Sequence, residues 1–563
     1  MRQFGILTSL LLIACRQDAP TEQPDDTAEA AATPDPVLVV QSPAAAAWLP
    51  AGPTEVSGYV RDASDLRLNG DRLDVSTSDT FSVTADLPRG ITVFSAEADG
   101  DDGAPLSARV GVIAGDFAEP GEDVTNGLLA RLNQPGLATL ADFGETLVTA
   151  EVLTEQLALA NPVYNAEPIV GTQLQADLAG VDFEKPEIIV TPTDGALQLQ
   201  VSIPSLVVDV DAFGEVAWID FRETVQVTAE RAVLTADVLL SVEDNAPAVQ
   251  LVDPEVTLAG FAYDASILPS WIEDYLFTDS IRTAIEDALV DQMTEMVPAM
   301  LDETMAGLEL AYSTEILGTA LDVGVRFDAM DIDEDGLQLG LGLDMLIDGE
   351  AAPDKVYGGF LTAPEAPSVP DVTTPMALIL GDDLLNHALF ELWRGGLADV
   401  DLSTEDGSLD PTLFEGVSVS TATVSTRAAL PPVIVETDGQ LELQLAELEL
   451  TVETPGGSIG ERLVARVDVS AQVGFGIEDS VLGLELHDLE LGLSVTESDW
   501  GLSEDGLKNI LSGLLSAEAL QETLDGLALE LPELYGLSIS EADVARGLSG
   551  YQTDVAVTVA VAE

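Results

Sequence analysis

Few side chains in this sequence have the types and spacing that catalysis requires. The 563 residues include a single cysteine, Cys15, and two histidines, His387 and His487. Nucleophilic and acid–base catalysis need a second group held beside the first, and no such partner is marked out for either histidine. His-Glu-x-x-His, a Walker phosphate loop and metal-binding Cys/His spacings do not occur. We therefore predict no catalytic residues, no cofactor and no enzymatic activity, with a structural or surface role for each histidine.

The acidic side chains are the candidates for binding a cation. Asp331–Gly336 matches the start of an EF-hand loop, but Gly342 stands where that loop needs a bidentate Glu. The turn Ala98–Gly103 carries three Asp residues and is the other candidate for Ca²⁺. Acidic residues beside glycine are common in plain turns. We predict no metal site and keep calcium binding at these turns as the alternative.

Cys15 lies in an N-terminal segment typical of exported proteins. A basic start is followed by an apolar run from Phe4 to Ala14, which is about half the length that spans a bilayer and indicates a signal peptide. The tetrapeptide Leu-Ile-Ala-Cys that ends at Cys15 resembles the bacterial lipobox, in which the thiol is acylated and the chain is cut just before it. The resemblance implies a signal peptide over residues 1–14 and a lipid anchor on Cys15. An ordinary signal peptide with an incidental cysteine is the alternative.

The lipobox implies a lipid-anchored protein of the bacterial cell envelope. Arg16, not Asp, follows Cys15, which favours the outer membrane by the sorting rule of studied bacteria. Residues 15–36 are rich in Asp, Glu, Thr, Ala and Pro. Such a composition predicts a disordered tether that holds the folded part away from the membrane.

The charge balance is extreme. The chain carries 101 Asp and Glu against 20 Lys and Arg, a formal net charge of −81. Because the acids occur in every segment, they belong to folded surfaces, and their field repels nucleic acid and anionic lipid head groups. Folding in a salty medium, where ions screen this repulsion, explains the composition best; a cation-binding surface is the alternative. We expect a lower melting temperature in dilute buffer than in molar salt, and equal temperatures would contradict the halophilic interpretation.

The first folded segment, residues 37–117, shows short alternating strands separated by turns. Val56 and Val60 lie on one face of an alternating stretch, and Asn69-Gly70 is a strong hairpin signal. The pattern resembles the immunoglobulin-like or cadherin-like modules of bacterial surface lipoproteins. We therefore expect a separate β-sandwich here.

Longer strands and helices follow this segment. In Leu463–Ile477 every odd position is apolar and the even positions are mostly polar or glycine, which predicts a half-buried strand about 50 Å long. In Asp279–Leu308, apolar residues recur on one face at helical spacing, with a kink or restart predicted at Pro298. A helix of that length would reach about 45 Å. Because the two lengths match, we expect this helix to pack against the long strand.

An internal repeat divides the rest of the chain. Pro186–Ile203 and Pro431–Leu448 each contain an apolar strand, an Asp-Gly turn and an alternating strand. A Pro- and Ala-rich stretch lies between the two copies and is typical of a linker. The sequence therefore predicts two similar domains, residues 119–355 and 376–563, joined by a linker over residues 356–375.

Two helical segments connect the repeat to a known family. Leu128–Val148 contains an Arg-apolar-Asn strand end, Arg131 to Asn133, then Gly-Leu and a helix with a further glycine. Met376–Leu402 contains an apolar strand, an Asp cap, Leu-Leu-Asn and a helix that ends at a glycine pair. Both resemble the segments that open the two halves of the bactericidal/permeability-increasing protein family. The resemblance covers roughly residues 119–563.

This resemblance implies an α+β, mostly β fold of two tandem tubular domains behind the β-sandwich. Each domain would be a long twisted antiparallel sheet wrapped on a long helix, with an apolar cavity that holds acyl chains. Members of the family bind or move lipids. The animal members carry a disulfide that this chain cannot form, and those that bind anionic lipopolysaccharide use a basic tip that this acidic chain lacks. Neutral or zwitterionic lipids are therefore the expected partners.

The cavity walls are expected on the apolar faces of the two helices. Met side chains are flexible and adapt to irregular volumes, and the first helix carries several of them; ordinary core packing is the alternative for each. The candidate lining residues are Ile281, Ile285, Leu289, Met293, Met296, Met300, Leu384, Leu385, Leu389 and Trp393. The predicted function is a membrane-anchored lipoprotein that binds or transfers lipids. A Ca²⁺-assisted surface adhesion or structural lipoprotein, and a hydrolase with unrecognised residues, are the alternatives.

Overall fold

A computed structural model describes most of the chain after residue 35. The described residues are 36–101, 103, 105–118, 124–159, 161–166, 172–216, 219–264, 279–306, 312–316, 319–347, 358–362, 367–369, 374–396, 398–409, 421–456, 460–478, 481–500, 529–530, 537–547 and 551–561. Cys15 and the predicted signal peptide therefore lie outside them. Within the described residues strands far outnumber helices, so the prediction of a mostly β chain is confirmed.

Residues 37–117, the N-terminal module, form two sheets. Their strands are β1 (Val37–Ser42), β2 (Ala47–Leu49), β3 (Gly52–Arg61), β4 (Ala63–Leu68), β5 (Asp71–Arg72), β6 (Thr80–Leu87), β7 (Gly90–Gly100), β8 (Pro105–Ala114) and β9 (Asp116–Phe117). The sheet β1-β3-β6 and the sheet β2-β8-β7-β4-β5 bury one common core, in which Val56 and Phe81 meet Phe94 and Val112. The hairpin predicted at Asn69-Gly70 connects β4 and β5.

The first half of the remaining chain contains the longest described helix. Its helices are α1 (Gln134–Leu147), α2 (Ala150–Ala158) and α3 (Asp279–Ala306). Its strands are β10 (Val124–Asn133), β11 (Tyr164–Ala166), β12 (Thr172–Asp182), β13 (Glu187–Thr193), β14 (Ala196–Val216), β15 (Ile219–Glu243), β16 (Ala246–Ala259), β17 (Ala262–Asp264), β18 (Tyr312–Ile316), β19 (Thr319–Asp333) and β20 (Gly336–Ile347).

The second half repeats much of this order. Its described helix is α4 (Asp382–Arg394). Its strands are β21 (Phe360–Leu361), β22 (Met376–Gly381), β23 (Asp401–Ser403), β24 (Thr423–Ala428), β25 (Val433–Thr437), β26 (Gln440–Glu453), β27 (Arg462–Glu478), β28 (Val481–Ser498), β29 (Leu529–Glu530), β30 (Leu537–Arg546) and β31 (Gln552–Val561). Across both halves, no described helix combines the length and the apolar character needed to cross a bilayer.

Each half contains one long antiparallel sheet with the same strand connectivity. The first-half sheet has the order β11-β12-β14-β15-β16, and β13 pairs with β14. The second-half sheet has the order β23-β24-β26-β27-β28-β29, and β25 pairs with β26. In both, the hairpin turns at an Asp-Gly pair, where Gly195 and Gly439 have φ values of 81° and 82° that glycine adopts without steric cost. The internal repeat indicated by the sequence is therefore visible in the strand pairing.

A third sheet is shared by the two halves. Its order is β18-β19-β20-β10-β22-β31-β30, so β10 pairs with β20 of its own half and with β22 of the other. Both central strands run directly into a helix, β10 into α1 and β22 into α4. Asn133, at the end of β10, donates from its side chain to the carbonyl of Thr374, just before β22. The polar residue of the Arg-apolar-Asn strand end thus joins the two halves.

The long strand and the long helix predicted from the sequence are both confirmed. The strand is β27, whose apolar residues Leu463, Val467 and Ala471 are buried while their neighbours are more exposed. The helix is α3, which continues through Pro298 without a break. The periodicity of each segment is local information, and the sequence carries it directly.

Their predicted packing against each other is wrong. The helix α3 follows β17 along the chain and packs on the sheet of its own half, where Ile285 and Leu289 share a core with Val256. The apolar face of β27 is covered by Phe390 and Trp393 of α4. Matching lengths do not select a partner, whereas neighbours in the chain usually become neighbours in space.

The N-terminal module packs against the second half through apolar and aromatic side chains. Strand β9 pairs with β21, and Phe117 stacks between Trp48 and Phe360, with ring centroids 4.6 Å and 6.0 Å away. Ile113 of the module shares a buried cluster with Val435 of β25. The module therefore covers apolar surface of the second half.

A buried carboxylate fixes this contact. Glu447 lies in a β-bulge of β26 with a φ of 54°, and its Oε1 accepts a hydrogen bond from the backbone N–H of Gly111 at 2.5 Å. A Cβ at Gly111 would stand 2.9 Å from the Glu447 side chain, so only glycine fits there. Arg466 lies 3.3 Å from the other oxygen, and Arg109 of the module pairs with Asp468 at 2.5 Å. Burial raises the pKa of Glu447 and of Asp468, although these bonds oppose the shift.

The docking changes the expectation for a chain that lacks residues 16–117. The family resemblance treats the module as an addition whose removal leaves residues 119–563 folded. Because removal uncovers Phe360 and Val435, we expect cooperative unfolding to persist but the free energy of unfolding to fall by about 2 kcal/mol. Guanidinium titration and binding of an apolar dye measure the two effects. An unchanged midpoint with no dye binding would show that the module contributes nothing to the second half.

Candidate functional site

An apolar cavity of about 20 Å³ lies between α3 and the first-half sheet. Strands β14, β15 and β16 form one side, and α3 together with the end of α1 and the start of α2 forms the other. The lining residues are Val148, Leu153, Val201, Ile203, Ala232, Leu234, Val256, Leu289 and Met293. Every one of these side chains is apolar, so the cavity offers an occupant neither charge nor a side-chain hydrogen bond. A site of this chemistry suits hydrocarbon rather than a polar ligand.

Alternation along the strands builds the sheet side of the cavity. Val201 and Ile203 lie two residues apart in β14, as do Ala232 and Leu234 in β15, so each pair points to the same face. Ala232 has the smallest lining side chain, and a larger residue there would occupy the space. The sequence analysis did not identify these strand residues of the cavity. Which face of a strand packs against the helix depends on the pairing register of the strand, and the sequence pattern does not give that register.

Two turns of α3 form the helix side. Leu289 and Met293 lie four residues apart and are both buried. One turn earlier, the Oε1 of Glu286 accepts from the backbone N–H of Leu258, and Arg282 donates to the carbonyl of the same residue, both at 3.3 Å. These bonds fasten the beginning of α3 to strand β16, whereas the described contacts at Leu289 and Met293 are apolar.

The predicted lining residues of α3 separate into three groups. Leu289 and Met293 line the cavity beside the sheet. Ile285 is completely buried in the same core but does not reach the cavity. The side chains of Ile281, Met296 and Met300 lie outside the described residues.

The predicted lining residues of α4 lie in other parts of the molecule. Leu384 packs into the core beneath the shared sheet, and Leu385 contacts its edge. Leu389 packs against the second-half sheet, and Trp393 fills that sheet's core and donates its Nε1–H to the carbonyl of Ala428 at 2.9 Å. The four α4 candidates therefore belong to packed cores, and the core around Trp393 includes the aromatic rings of Phe390 and Trp500.

The acidic turn at Asp331–Gly336 has a structural role. The carboxylate of Asp333 accepts hydrogen bonds from the backbone N–H groups of Asp335 and Gly336 and pairs with the buried guanidinium of Arg131. The hydrogen bond from Arg131 keeps the pKa of Asp333 below its ordinary value. No three Asp, Glu, His or Cys side chains of the described residues converge as metal ligands would.

The side chains suited to catalysis remain apart in the described part of the chain. His387 is buried in α4, and His487 is exposed on β28, 3.5 Å from Glu485. The pentapeptide around Ser458 reads Gly-Gly-Ser-Ile-Gly and matches the sequence pattern of a hydrolase nucleophile elbow. That motif needs a strand followed by a helix, whereas this segment connects the antiparallel strands β26 and β27. Ser458 itself lies outside the described residues.

A buried ion pair holds the beginning of α4. The two carboxylate oxygens of Asp382 each accept a hydrogen bond from Arg546 of β30 at 2.8 Å, and Glu436 lies 3.2 Å from the same guanidinium. The Asp382 side chain is only 1% exposed. Burial raises the pKa of Asp382, and the bonds from Arg546 oppose that shift. This pair ties α4 to the shared sheet.

Comparison with known proteins finds matches among solved structures. No protein-family model matches the sequence, and a search of curated proteins finds no match. A solved structure titled "Crystal structure of lipopolysaccharide binding protein" is similar, with a TM-score of 0.44 and 14% sequence identity, over 79% of this chain and 100% of that chain. Membership of the bactericidal/permeability-increasing protein family stays a proposal. The proposed function therefore rests on the geometry of the chain itself.

Proposed function

We propose that this protein is an exported, lipid-anchored lipoprotein that binds the acyl chains of lipids in the cavity beside α3. The observation that carries the proposal is the lining of that cavity, which consists entirely of apolar side chains. Val148 in this lining is only half-buried, so the apolar wall continues to the protein surface. An acyl chain is the common biological ligand that needs such a wall and no polar partner.

Binding requires the cavity to widen. Its volume of about 20 Å³ has room for about one water molecule, whereas pockets that enclose small ligands measure about 300–1,000 Å³. The helix side is the part that can yield, because Met293 is flexible and the described hydrogen bonds of α3 to the sheet lie one turn earlier, at Arg282 and Glu286. We infer that α3 moves away from the sheet at Leu289 and Met293 when a chain enters.

The head group would remain outside the apolar lining. Helices α1 and α2 beside the cavity carry Glu145, which pairs with Lys185 at 2.6 Å, and the exposed Glu151 and Glu155 of α2. Their excess negative charge disfavours anionic head groups. Neutral or zwitterionic lipids are therefore the proposed ligands.

Replacing Ala232 by Val tests the site. The added methyl groups occupy the cavity, so we expect lipid carried per molecule to fall at least twofold while stability changes by about 1 kcal/mol or less. The measurement is lipid extraction and mass spectrometry on the chain lacking residues 1–15, which retains every described element. Ala236→Val is the matched control, because Ala236 is buried on the same strand but does not line the cavity. A wild-type chain without lipid would contradict the proposal, as would equal lipid in the Ala232→Val chain.

A further inference from the structure

The corner formed by residues 147–159, at the end of α1 and along α2, exposes apolar side chains. Leu147 is 38% exposed, Val152 39% and Leu159 75%. Val152 lies on α2, and Leu159 directly follows its last residue, Ala158. We call these two exposed residues, together with Leu147, the exposed stripe. Large apolar residues this exposed are few among the described residues, and three of them lie together in this corner.

Polar bonds fix α2 in the orientation that exposes this stripe. The Oγ1 of Thr154 accepts from the backbone N–H of Val181 at 3.0 Å. The side chain of Asn161 bonds both backbone groups of Leu178, at 2.8 Å and 2.6 Å. Leu153 is buried on the opposite side of the same helix. The exposure is therefore set by the packing of α2 and not by a frayed helix end.

The exposed stripe adjoins residues of the cavity lining. Val148 and Leu153 line the cavity, and their immediate neighbours in the sequence, Leu147 and Val152, are exposed. Apolar side chains of this corner therefore lie both in the cavity wall and on the surface. Three exposed side chains are too few to form a protein interface, which needs about 800 Å² per partner, but they suffice to insert into the surface of a bilayer.

From these observations we propose that the corner docks on a zwitterionic lipid surface and passes acyl chains into the cavity. The inference rests on the proposed lipid-binding function and adds the surface and the partner. Glu151 and Glu155 are exposed on the same helix, and their charges oppose approach to an anionic bilayer. A lipid that leaves the bilayer loses hydrocarbon contacts with its neighbours. The exposed apolar side chains replace some of these contacts, so the corner lowers the free-energy barrier to transfer from bilayer to cavity.

The test compares two double variants of the chain lacking residues 1–15. Leu147→Asp with Leu159→Asp alters the corner. Val75→Asp with Val495→Asp is the matched control, because these residues are 40% and 37% exposed elsewhere and the same two charges are added. The probes are phosphatidylcholine vesicles, the same vesicles with phosphatidylglycerol, and a short-chain phosphatidylcholine kept monomeric in solution.

We expect the corner variant to bind phosphatidylcholine vesicles about tenfold more weakly than the wild type. It should also take up labelled lipid from these vesicles more slowly. The control variant should match the wild type, and all three chains should take up the monomeric lipid equally. Equal vesicle binding by the corner variant overturns the inference. A preference of the wild type for anionic vesicles also overturns the inference. So does a wild-type dimer that is lost in the corner variant alone, because the corner would then be an interface between two copies of the chain. Corner-dependent vesicle binding without uptake of monomeric lipid would support docking and refute the lipid-binding function.

Discussion

Arg546→Met is expected to lower the free energy of unfolding by about 3–5 kcal/mol, because it leaves the carboxylate of Asp382 buried without its partner. Met keeps an unbranched apolar stem like that of arginine and lacks only the guanidinium, so the loss reports mainly the missing charge and hydrogen bonds. Guanidinium or urea titration of the chain lacking residues 1–15 measures it. The pair joins α4 to β30 across the shared sheet, so the whole second half should unfold earlier.

Arg427→Met is the matched control for this prediction. Arg427 also pairs with an aspartate, Asp401, at 3.0 Å, but the two side chains are 51% and 68% exposed. Removing an exposed pair costs about 1 kcal/mol or less. Similar losses in both variants would show that burial of Asp382 does not govern its energetics.

The pH dependence of the Arg546→Met loss has a definite sign. Burial raises the pKa of Asp382 in the folded chain, and removal of Arg546 raises it further. A carboxyl group with a raised folded pKa favours the fold when protonated, and this contribution is lost as pH rises through the folded pKa. The variant should therefore be closest to the wild type in acid and furthest from it at neutral pH. A loss that grows on acidification would contradict this account.

Cys15→Ser is expected to abolish acylation and to move the protein from the membrane fraction to the soluble fraction. Serine has no thiol to accept the diacylglycerol group. The sequence contains no other cysteine that could take its place. Incorporation of labelled fatty acid and fractionation after a salt wash measure the two effects. Arg16→Ser is the control, since it introduces the same residue next to an intact Cys15. Labelled Cys15→Ser protein, or its retention in the washed membranes, would refute the lipobox interpretation.

Local periodicity was the part of the fold that the sequence made predictable. The alternation of Leu463–Ile477 predicted β27, helical spacing predicted α3, and the Asp-Gly pairs predicted the turns before β14 and β26. Each of these signals lies within about thirty residues. The packing partner of α3 was not predictable in the same way, because the length of an apolar stripe does not specify which apolar surface it packs against.

The cavity was predictable only in part for the same reason. Leu289 and Met293 were found from helical spacing, but Val201, Ala232 and Val256 reach the site through the register of three strands. The contact of Glu447 with Gly111 joins residues 336 positions apart and depends on a β-bulge. No neighbouring residue in the sequence indicates either feature.

The shared sheet also has a consequence for how the protein reaches its folded state. Strand β10 cannot complete its pairing until β20 and β22 are present, and β22 in turn pairs with β31 at Gln552–Val561. Such long-range pairings make folding slow and leave partly folded chains with open strand edges that aggregate. The sheet is therefore complete only after β31, the last described strand of the chain, has been synthesised.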